Sequence, residues 1–350
     1  LLKLKKVYRY LLMYGFSRTF VKVKGVRHSH RTYSDVTINV IIKNIRQNVG
    51  IIGCGNFSYT TVAYYLRKNY GNVIKACMDI DRNKAKLLYL DYKLSYFTTN
   101  SDDIFDDTDI KLIYIASNHA SHTDYAIRAL NKGKVVHVEK PHVVSYQQLI
   151  DLCRCINNNS GKLNIGFNRP LSKFANLIFK KLDSENDSLM VNWFISGHSL
   201  KKQHWYYDKL EGGRILGNLS HWIDFSYQLM NQNNLYPITI RPTISKSLNE
   251  NLFVNYIFGD NSIASIGFSA KGEPFEGVQE VLSLHKGNSL IKLINFQELI
   301  IDKGSNKTKY KSLFKDQGHE NSVKKSWEIL NGQRKSLDVS YIWQIGELML

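Results

Sequence analysis

Cysteine is scarce in this chain, and the four present, Cys54, Cys77, Cys153 and Cys155, are too few and too irregular to frame a disulfide scaffold. Cys153 and Cys155 lie two apart in a predicted helix and point in different directions, which argues against joint metal ligation; no metal site is expected. Long apolar runs are missing too, since none reaches the roughly 18 residues of a membrane span. The opening stretch LLKLKKVYRYLLMYGFSRTF has lysines among its apolar residues and no small-residue cleavage site after it, so a secretory signal is not expected and the chain is expected to be cytoplasmic. Its first residue is Leu rather than Met, which points to an unusual start codon or a fragment. Internal repeats and low-complexity tracts are absent.

Acidic residues are nearly missing from the first 48 positions, which hold eleven Lys or Arg against Asp35 alone. That segment carries +10 of the net +17, and the rest of the chain only +7. The question of an anionic partner therefore concerns the segment and not the body. Leu4, Val7, Tyr8, Leu11 and Leu12 recur at helical spacing, with Lys3, Lys5, Lys6 and Arg9 between them, predicting one or two short amphipathic helices. A strand-like patch, VTINVII, follows at 36–42. Basic amphipathic helices lie on anionic membrane surfaces or, more often, pack on their own protein or a sister subunit. Nucleic acid is not an expected partner, because no recognised module is present and the aromatic residues follow core periodicity.

A length of 350 residues exceeds what one core normally supports, and the 43% apolar and 22% charged content is ordinary for a globular protein. From 48 to 168, short apolar runs alternate with helical stretches. Strands are expected at 49–52, 73–80, 111–117, 135–140 and 162–167, with helices at 59–68, 83–92, 121–131 and 146–157. That rhythm predicts parallel strands joined by right-handed crossovers, a doubly wound α/β domain. From 169 onward most segments, SLMVNWFISG and NLFVNYIFGD among them, read as strands of a large antiparallel sheet. A helix at 217–230 and two closing helices at 320–330 and 339–350 accompany them. The expected division is a basic extension (1–47), a doubly wound α/β domain (48–168) and a C-terminal domain with a large antiparallel sheet (169–350).

In VGIIGCGNFSYTT, Gly53 and Gly55 stand directly after a buried-strand run and before a helix. Gly53 permits a tight turn, and Gly55 lets the backbone approach a pyrophosphate held on the helix N-terminus by amides around Cys54, Asn56 and Phe57. The third small position is Ser58. At the end of the next strand Asp79 is placed to bind ribose hydroxyls and repel a 2′-phosphate, favouring NAD over NADP; nearby Arg82 softens the preference. Asp81 reads alternatively as a capping residue. After the fourth strand, Glu139, Lys140 and Pro141 lie at the sheet edge where doubly wound domains bind ligands, and a lysine there is suited to hydrogen-bond an alcohol or carbonyl oxygen or is a plain surface residue.

GCGNFS, MDID, IASNHASHTDYAIRALNKGKVVHVEKP, GFNRP and EGGRILGNLSHWID, in that order, resemble the Gfo/Idh/MocA family of dinucleotide-dependent oxidoreductases. The resemblance runs from about residue 48 to the C-terminus, and the GGRILGxxxH form with a basic N-terminal extension resembles a subgroup. It implies a Rossmann domain, a second α/β domain with an open antiparallel sheet, frequent oligomerisation through that sheet, and hydride transfer at a sugar or nucleotide-sugar carbon, with surface polysaccharide metabolism as the setting. Residue by residue, it implies Lys140 and His221 as catalytic, Glu139 and Pro141 beside the nicotinamide, and Ser117, Asn118 and His119 along the cofactor. His122 reads as structural. Asn168 and Arg169 resemble the family's hinge, and Asn218 falls within the His221 motif on the substrate side. Upstream, Trp205, Tyr206 and Arg214 are read as contacts to the sugar face or an anionic group, or as loop packing. Many members have an aspartate four residues before the histidine, where this chain has Gly217; Asp224, three after it, orients the imidazole or merely pairs structurally. A dinucleotide-binding sensor or scaffold without catalysis is the alternative reading.

Overall fold

The apolar runs that bracket the glycines become the central strands of a parallel sheet. The computed structural model describes residues 2–28, 47–182, 187–200, 203–230, 233–245, 251–273, 275 and 277–350, and the strand expected at 36–42 lies outside them. The chain divides into two compact units, one of residues 16–167, 320–348 and 350, the other of 1–15, 168–319 and 349.

The first unit, the Rossmann unit, is built on strands β1 (Val49–Ile52), β2 (Ile74–Met78), β3 (Tyr96–Thr98), β4 (Leu112–Ile115), β5 (Val135–Val138) and β6 (Leu163–Ile165). Their order is β3-β2-β1-β4-β5-β6 and every pairing is parallel. This order reverses beside β1, so the crevice opens at the end of β1 and β4, where such sheets bind ligands. Every residue of β1, β4 and β5 is buried, as strands covered on both faces require. The short strand β3 was not foreseen, because YFT is too brief to show a period.

The three-segment division expected from the sequence does not coincide with these units. The two closing helices, His319–Leu330 and Val339–Met349, lie almost wholly within the Rossmann unit. Val323 and Ile329 join its core, Trp327 stacks on Tyr70 with ring centres 4.5 Å apart, and the Tyr114 hydroxyl donates to the Val323 carbonyl at 2.7 Å. The Lys68–Glu320 pair at 2.8 Å is exposed and adds little.

The second unit, the sheet unit, contains strands β7 (Met190–His198), β8 (Thr239–Ile244), β9 (Asn251–Ile257), β10 (Ile263–Gly272), β11 (Gln279–Lys286), β12 (Ser289–Ile294), β13 (Glu298–Lys303) and β14 (Asn306–Lys311). They run in the order β14-β13-β12-β11-β7-β10-β9-β8, antiparallel except for β7 beside β10. Along β7, Val191, Trp193 and Ile195 point inward while Met190, Asn192 and Phe194 point outward, the alternation of a half-covered strand. The helix Ser220–Leu229 covers the inner face: Phe225 lies 5.4 Å from Trp193, whose indole N–H donates to Ser226 Oγ at 3.1 Å. Deeper still, the Arg169 guanidinium donates through Nε to Glu280 Oε1 at 3.1 Å. Burial alone would raise the Glu280 pKa, but Arg169 and Lys315 outweigh it and hold the carboxyl below its ordinary range.

The N-terminal amphipathic stretch is the helix Leu2–His28, broken at Gly15, whose φ of 77° is not helical. Its first half belongs to the sheet unit and its second half to the Rossmann unit. Among the described residues no helix is long and apolar enough to cross a membrane.

His142, in the Rossmann unit, is fully buried. Its Nε2–H donates to the Ile342 carbonyl at 3.2 Å, and its Nδ1 has no partner among the described residues. A second proton would have nowhere to bond, and burial pushes the imidazole down to about 4. The unfolded chain takes up that proton near pH 6.5, so stability is fully present above 6.5 and falls through the window down to about 4, by on the order of 3 kcal/mol. Urea denaturation at pH 7 and pH 5 should show about 2 kcal/mol of this loss in the wild type and a flatter dependence in His142→Gln.

Candidate functional site

Everything at the head of the Rossmann unit follows from the turn at Gly53. Its φ is 87°, and an added Cβ would meet the Ala116 carbonyl oxygen at 2.5 Å, so no side chain fits. The Gly53 amide donates to the Met78 carbonyl at 2.8 Å, which ties the end of β1 to β2. Ser58, the third small position of the motif, is buried and donates its hydroxyl to the Gly53 carbonyl, closing the turn from the helix side. The helix opens with a wide π turn, Ser58–Ala63, and continues as Tyr64–Tyr70.

Asp79 stands at the end of β2, as the motif requires. Its Oδ2 accepts the Cys54 amide at 2.7 Å and its Oδ1 the Asp81 amide at 2.9 Å. The Cys54 amide is therefore engaged by the acid. Asp81 caps the next helix by accepting from Asn83 and Lys84 amides, the structural one of its two readings. Arg82 lies with its guanidinium carbon 5.5 Å from the Phe97 ring centre. At Gly55 an added Cβ would find nothing within 4 Å. A cradle bare of side chains, beside a carboxylate at the sheet edge, fits a dinucleotide: backbone approaches phosphate there, and Asp79 retains lone pairs for ribose hydroxyls. Phe57 packs partly against the core, so its part in such a site belongs to its backbone.

Sequence reasoning missed what covers the first turn of this helix. Arg18 donates to the Thr60 carbonyl and stacks over Tyr65 and Tyr64, 4.7 and 5.1 Å from their ring centres. Gly25 presses so closely that an added Cβ would collide with Thr60 Cγ2 and Asn56 Oδ1. His28, 2% exposed, stacks on Tyr59 at 4.3 Å. Burial lowers its pKa despite the opposing pull of the Cys54 backbone and Asp91. Residues 16–28 thus act as part of the Rossmann unit, not as an appendage. The only sequence signal was Gly25 inside a helical pattern, where a glycine marks close packing.

The second half of the site is the turn after β5. The Glu139 amide donates to Ile115 O at 2.9 Å, and its carboxylate meets His137 Nε2 at 3.2 Å. His137 Nδ1 lies 2.7 Å from Ser326 Oγ, which also accepts from Asn164 at 3.0 Å. This buried network fixes Glu139 beside Lys140, which is half-buried and joined to Pro141 by a cis peptide bond. His122 fastens the turn to the loop after β4, with Nδ1 2.8 Å from the Pro141 carbonyl and Nε2 3.2 Å from the Ser117 carbonyl. Burial holds this imidazole below its ordinary pKa, so it serves as a tie, the structural part expected of it. Ser121 Oγ bonds Ser117 Oγ and Asn118 Oδ1, both at 2.7 Å, and His119 is buried in the same loop. Ser117, Asn118, His119, Glu139, Lys140 and Pro141 are therefore gathered at one sheet edge of the Rossmann unit.

The remaining predicted residues lie in the sheet unit. Asn168 donates to the Gln317 carbonyl at 2.8 Å, and Arg169 is engaged by Glu280 and stacks 4.9 Å over Trp222. Trp205 is exposed, while Arg214 is buried. Gly217 and Asn218 lie in a second wide turn, Ile215–Leu219, and His221, half-buried, sits in the first turn of the helix that follows. Asp224 is buried and accepts from Gln228 Nε2 at 3.0 Å.

Residues 47–167 match the model of the Gfo/Idh/MocA oxidoreductase family, described as an NAD-binding Rossmann fold. Oxidoreductase P35 of Formosa agariphila is 28% identical over 159 residues, which is 45% of this chain and 48% of that protein. Inositol 2-dehydrogenase of Ralstonia nicotianae is 24% identical over 138 residues, 39% of this chain and 41% of that one. The chain thus spans about half or less of the length of these curated relatives. A dehydrogenase from Chromobacterium violaceum superposes with a TM-score of 0.75 at 14% identity, covering 87% of this chain and 93% of its own, which shows a shared fold.

The two motif glycines should respond oppositely to a methyl group. Gly53→Ala should cost about 2 kcal/mol or more, because it adds backbone strain to a collision with main chain. Gly55→Ala should leave stability within about 0.5 kcal/mol. Paired urea titrations measure both.

Proposed function

We propose that the chain is an NAD-dependent oxidoreductase that moves a hydride between the nicotinamide and a secondary alcohol or ketone of a polyol, sugar or nucleotide-sugar. The observation that carries the reading is the Asp79 carboxylate hydrogen-bonded to the glycine turn beside the open Gly55, inside a segment that matches an NAD-binding oxidoreductase family. The inositol dehydrogenase among the relatives supports a polyhydroxylated substrate. The setting in surface polysaccharide metabolism rests on the subgroup resemblance alone.

When bound, the nicotinamide supplies the hydride acceptor or donor. The chain's own residues do the rest. Asp79 accepts ribose hydroxyls through its remaining lone pairs and, as a carboxylate, disfavours a 2′-phosphate, so NAD is preferred over NADP. The amides of Asn56 and Phe57, at the start of the helix, hold the diphosphate. Lys140 donates to the reacting oxygen and stabilises negative charge as it develops, with Glu139 fixed by the His137 network beside it. His221 takes the hydroxyl proton as general base. Asn218 and Trp205 contact the substrate.

A second reading, a dinucleotide-binding sensor without catalysis, is favoured by Gly217 standing where many relatives in the family have an aspartate. Assay of NAD(H) turnover over a panel of sugars and polyols separates the two. In an active enzyme, Lys140→Met should lower kcat by about a hundredfold or more with the NAD dissociation constant unchanged. Substantial residual turnover would remove Lys140 from the mechanism.

The same reading includes a homo-oligomer formed through the outer face of the large sheet. Phe194 and Met190 are 61% and 59% exposed there. In register, Phe194 and Phe253 flank Gly267, and Met190 and Leu290 flank His285, giving two apolar rows on one face with Asn192, Ser265 and Ser283 in the row between them. Phe194→Glu should convert the oligomer to monomer in light scattering; an unchanged mass would reject this face.

A further inference from the structure

Arg214 is 3% exposed, and its polar environment is incomplete. Nη2 donates to the His198 carbonyl at 3.0 Å, and the guanidinium carbon stacks 5.3 Å from the Phe268 ring centre. Nε has no hydrogen-bond partner among the described residues. Nor does Arg214 form an ion pair with any described carboxylate; the titratable groups beside it are the phenols of Tyr207 and Tyr206 and the imidazoles of His198 and His204. Arg169, also buried in the sheet unit, differs in kind, because Glu280 neutralises it. A buried cation without a counter-charge is costly, and an anionic ligand would relieve that cost.

The neighbourhood is built for the same purpose. Asn218 Oδ1, Ser220 Oγ and Trp222 Nε1, in the segment that follows, are also buried without described partners. Folded proteins leave only a few per hundred residues. Burial, and then the charge of Arg214, lowers the pKa of both His198 and His204, with Lys6 adding to the effect at His198. Neutral imidazoles contribute hydrogen bonds without the repulsion of extra cations. His204 Nδ1 accepts the Tyr206 amide at 3.2 Å, which leaves Nε2 as the protonated donor. Its ring stacks on Trp205 with centres 5.8 Å apart, and Trp205 is 44% exposed, so an aromatic residue reachable from solvent neighbours His204.

We propose that the sheet unit carries an acid-sugar subsite, in which Arg214 binds the negatively charged substituent of the substrate, a carboxylate or a phosphoryl group, while the sugar ring rests on Trp205. The planar guanidinium fork matches either anion with paired hydrogen bonds. The proposal rests on the reading of the chain as a sugar oxidoreductase and narrows its substrate to acidic sugars.

Titration calorimetry of the full chain against neutral hexoses, hexuronates and hexose phosphates tests it, with NAD binding measured separately. Acidic sugars should bind at least about tenfold more tightly than neutral ones, with uronate or phosphate preference telling the two anions apart. Arg214→Gln should weaken acid-sugar binding by about thirtyfold, with NAD affinity unchanged. Should that variant melt, Arg214→Lys, which keeps the charge and loses the fork, should weaken binding by about tenfold. Neutral hexoses binding as tightly as acids, acid binding indifferent to Arg214, or no uptake of any acidic sugar by the folded wild type would each overturn the proposal. Arg214-dependent acid-sugar binding in a protein that takes up no NAD would uphold the subsite and remove the oxidoreductase reading instead.

Discussion

The hydrogen bond from the Cys54 amide to the Asp79 carboxylate is the constraint on which the head of the Rossmann unit depends. It exists because Gly53 adopts a backbone conformation closed to other residues, which turns the next amide toward the end of β2. The same turn aligns Gly53 N with Met78 O and Gly53 O with the Ser58 hydroxyl. One residue without a side chain thus sets the direction of a strand, a helix and a carboxylate together. The bare surface at Gly55 is a consequence of that arrangement.

Buried histidines do a different job. His122 spans from the Ser117 loop to the Pro141 turn, His137 joins Glu139 to Ser326, and His142 reaches Ile342. Burial lowers the pKa of His122 and His142, so both are neutral at physiological pH. They are positioned to hold the Lys140 turn still and not to exchange protons with a substrate. The two buried arginines of the sheet unit show the complementary logic. Arg169 is satisfied by Glu280 and contributes to the core, whereas Arg214 has no acid beside it among the described residues.

Much of the site could be read in advance because its signals are short-range. The glycine pair, Ser58 and Asp79 occupy fixed offsets dictated by backbone sterics in a strand-turn-helix unit. The residues that escaped reading act over long distances in the chain. Glu280 meets Arg169 across 111 positions, and Val323 meets Tyr114 across 209. Gly25 and His28 lay in a segment whose charge suggested an appendage, yet their small or flat side chains serve to press against Asn56 and Tyr59.

The sequence by itself determined the alternation of strands and helices, the tight turn at Gly53 and the acid at the end of the second strand. Each of these follows from local periodicity or from the steric limits of a few neighbouring residues. Only the tertiary structure decided that Asp79 occupies the Cys54 amide, that residues 16–28 cover the start of the glycine-turn helix, that the closing helices complete the Rossmann core, and that among the described residues one buried arginine has a paired acid while the other does not. Those outcomes depend on which distant side chains packing brings within a few ångströms, and no local pattern encodes that.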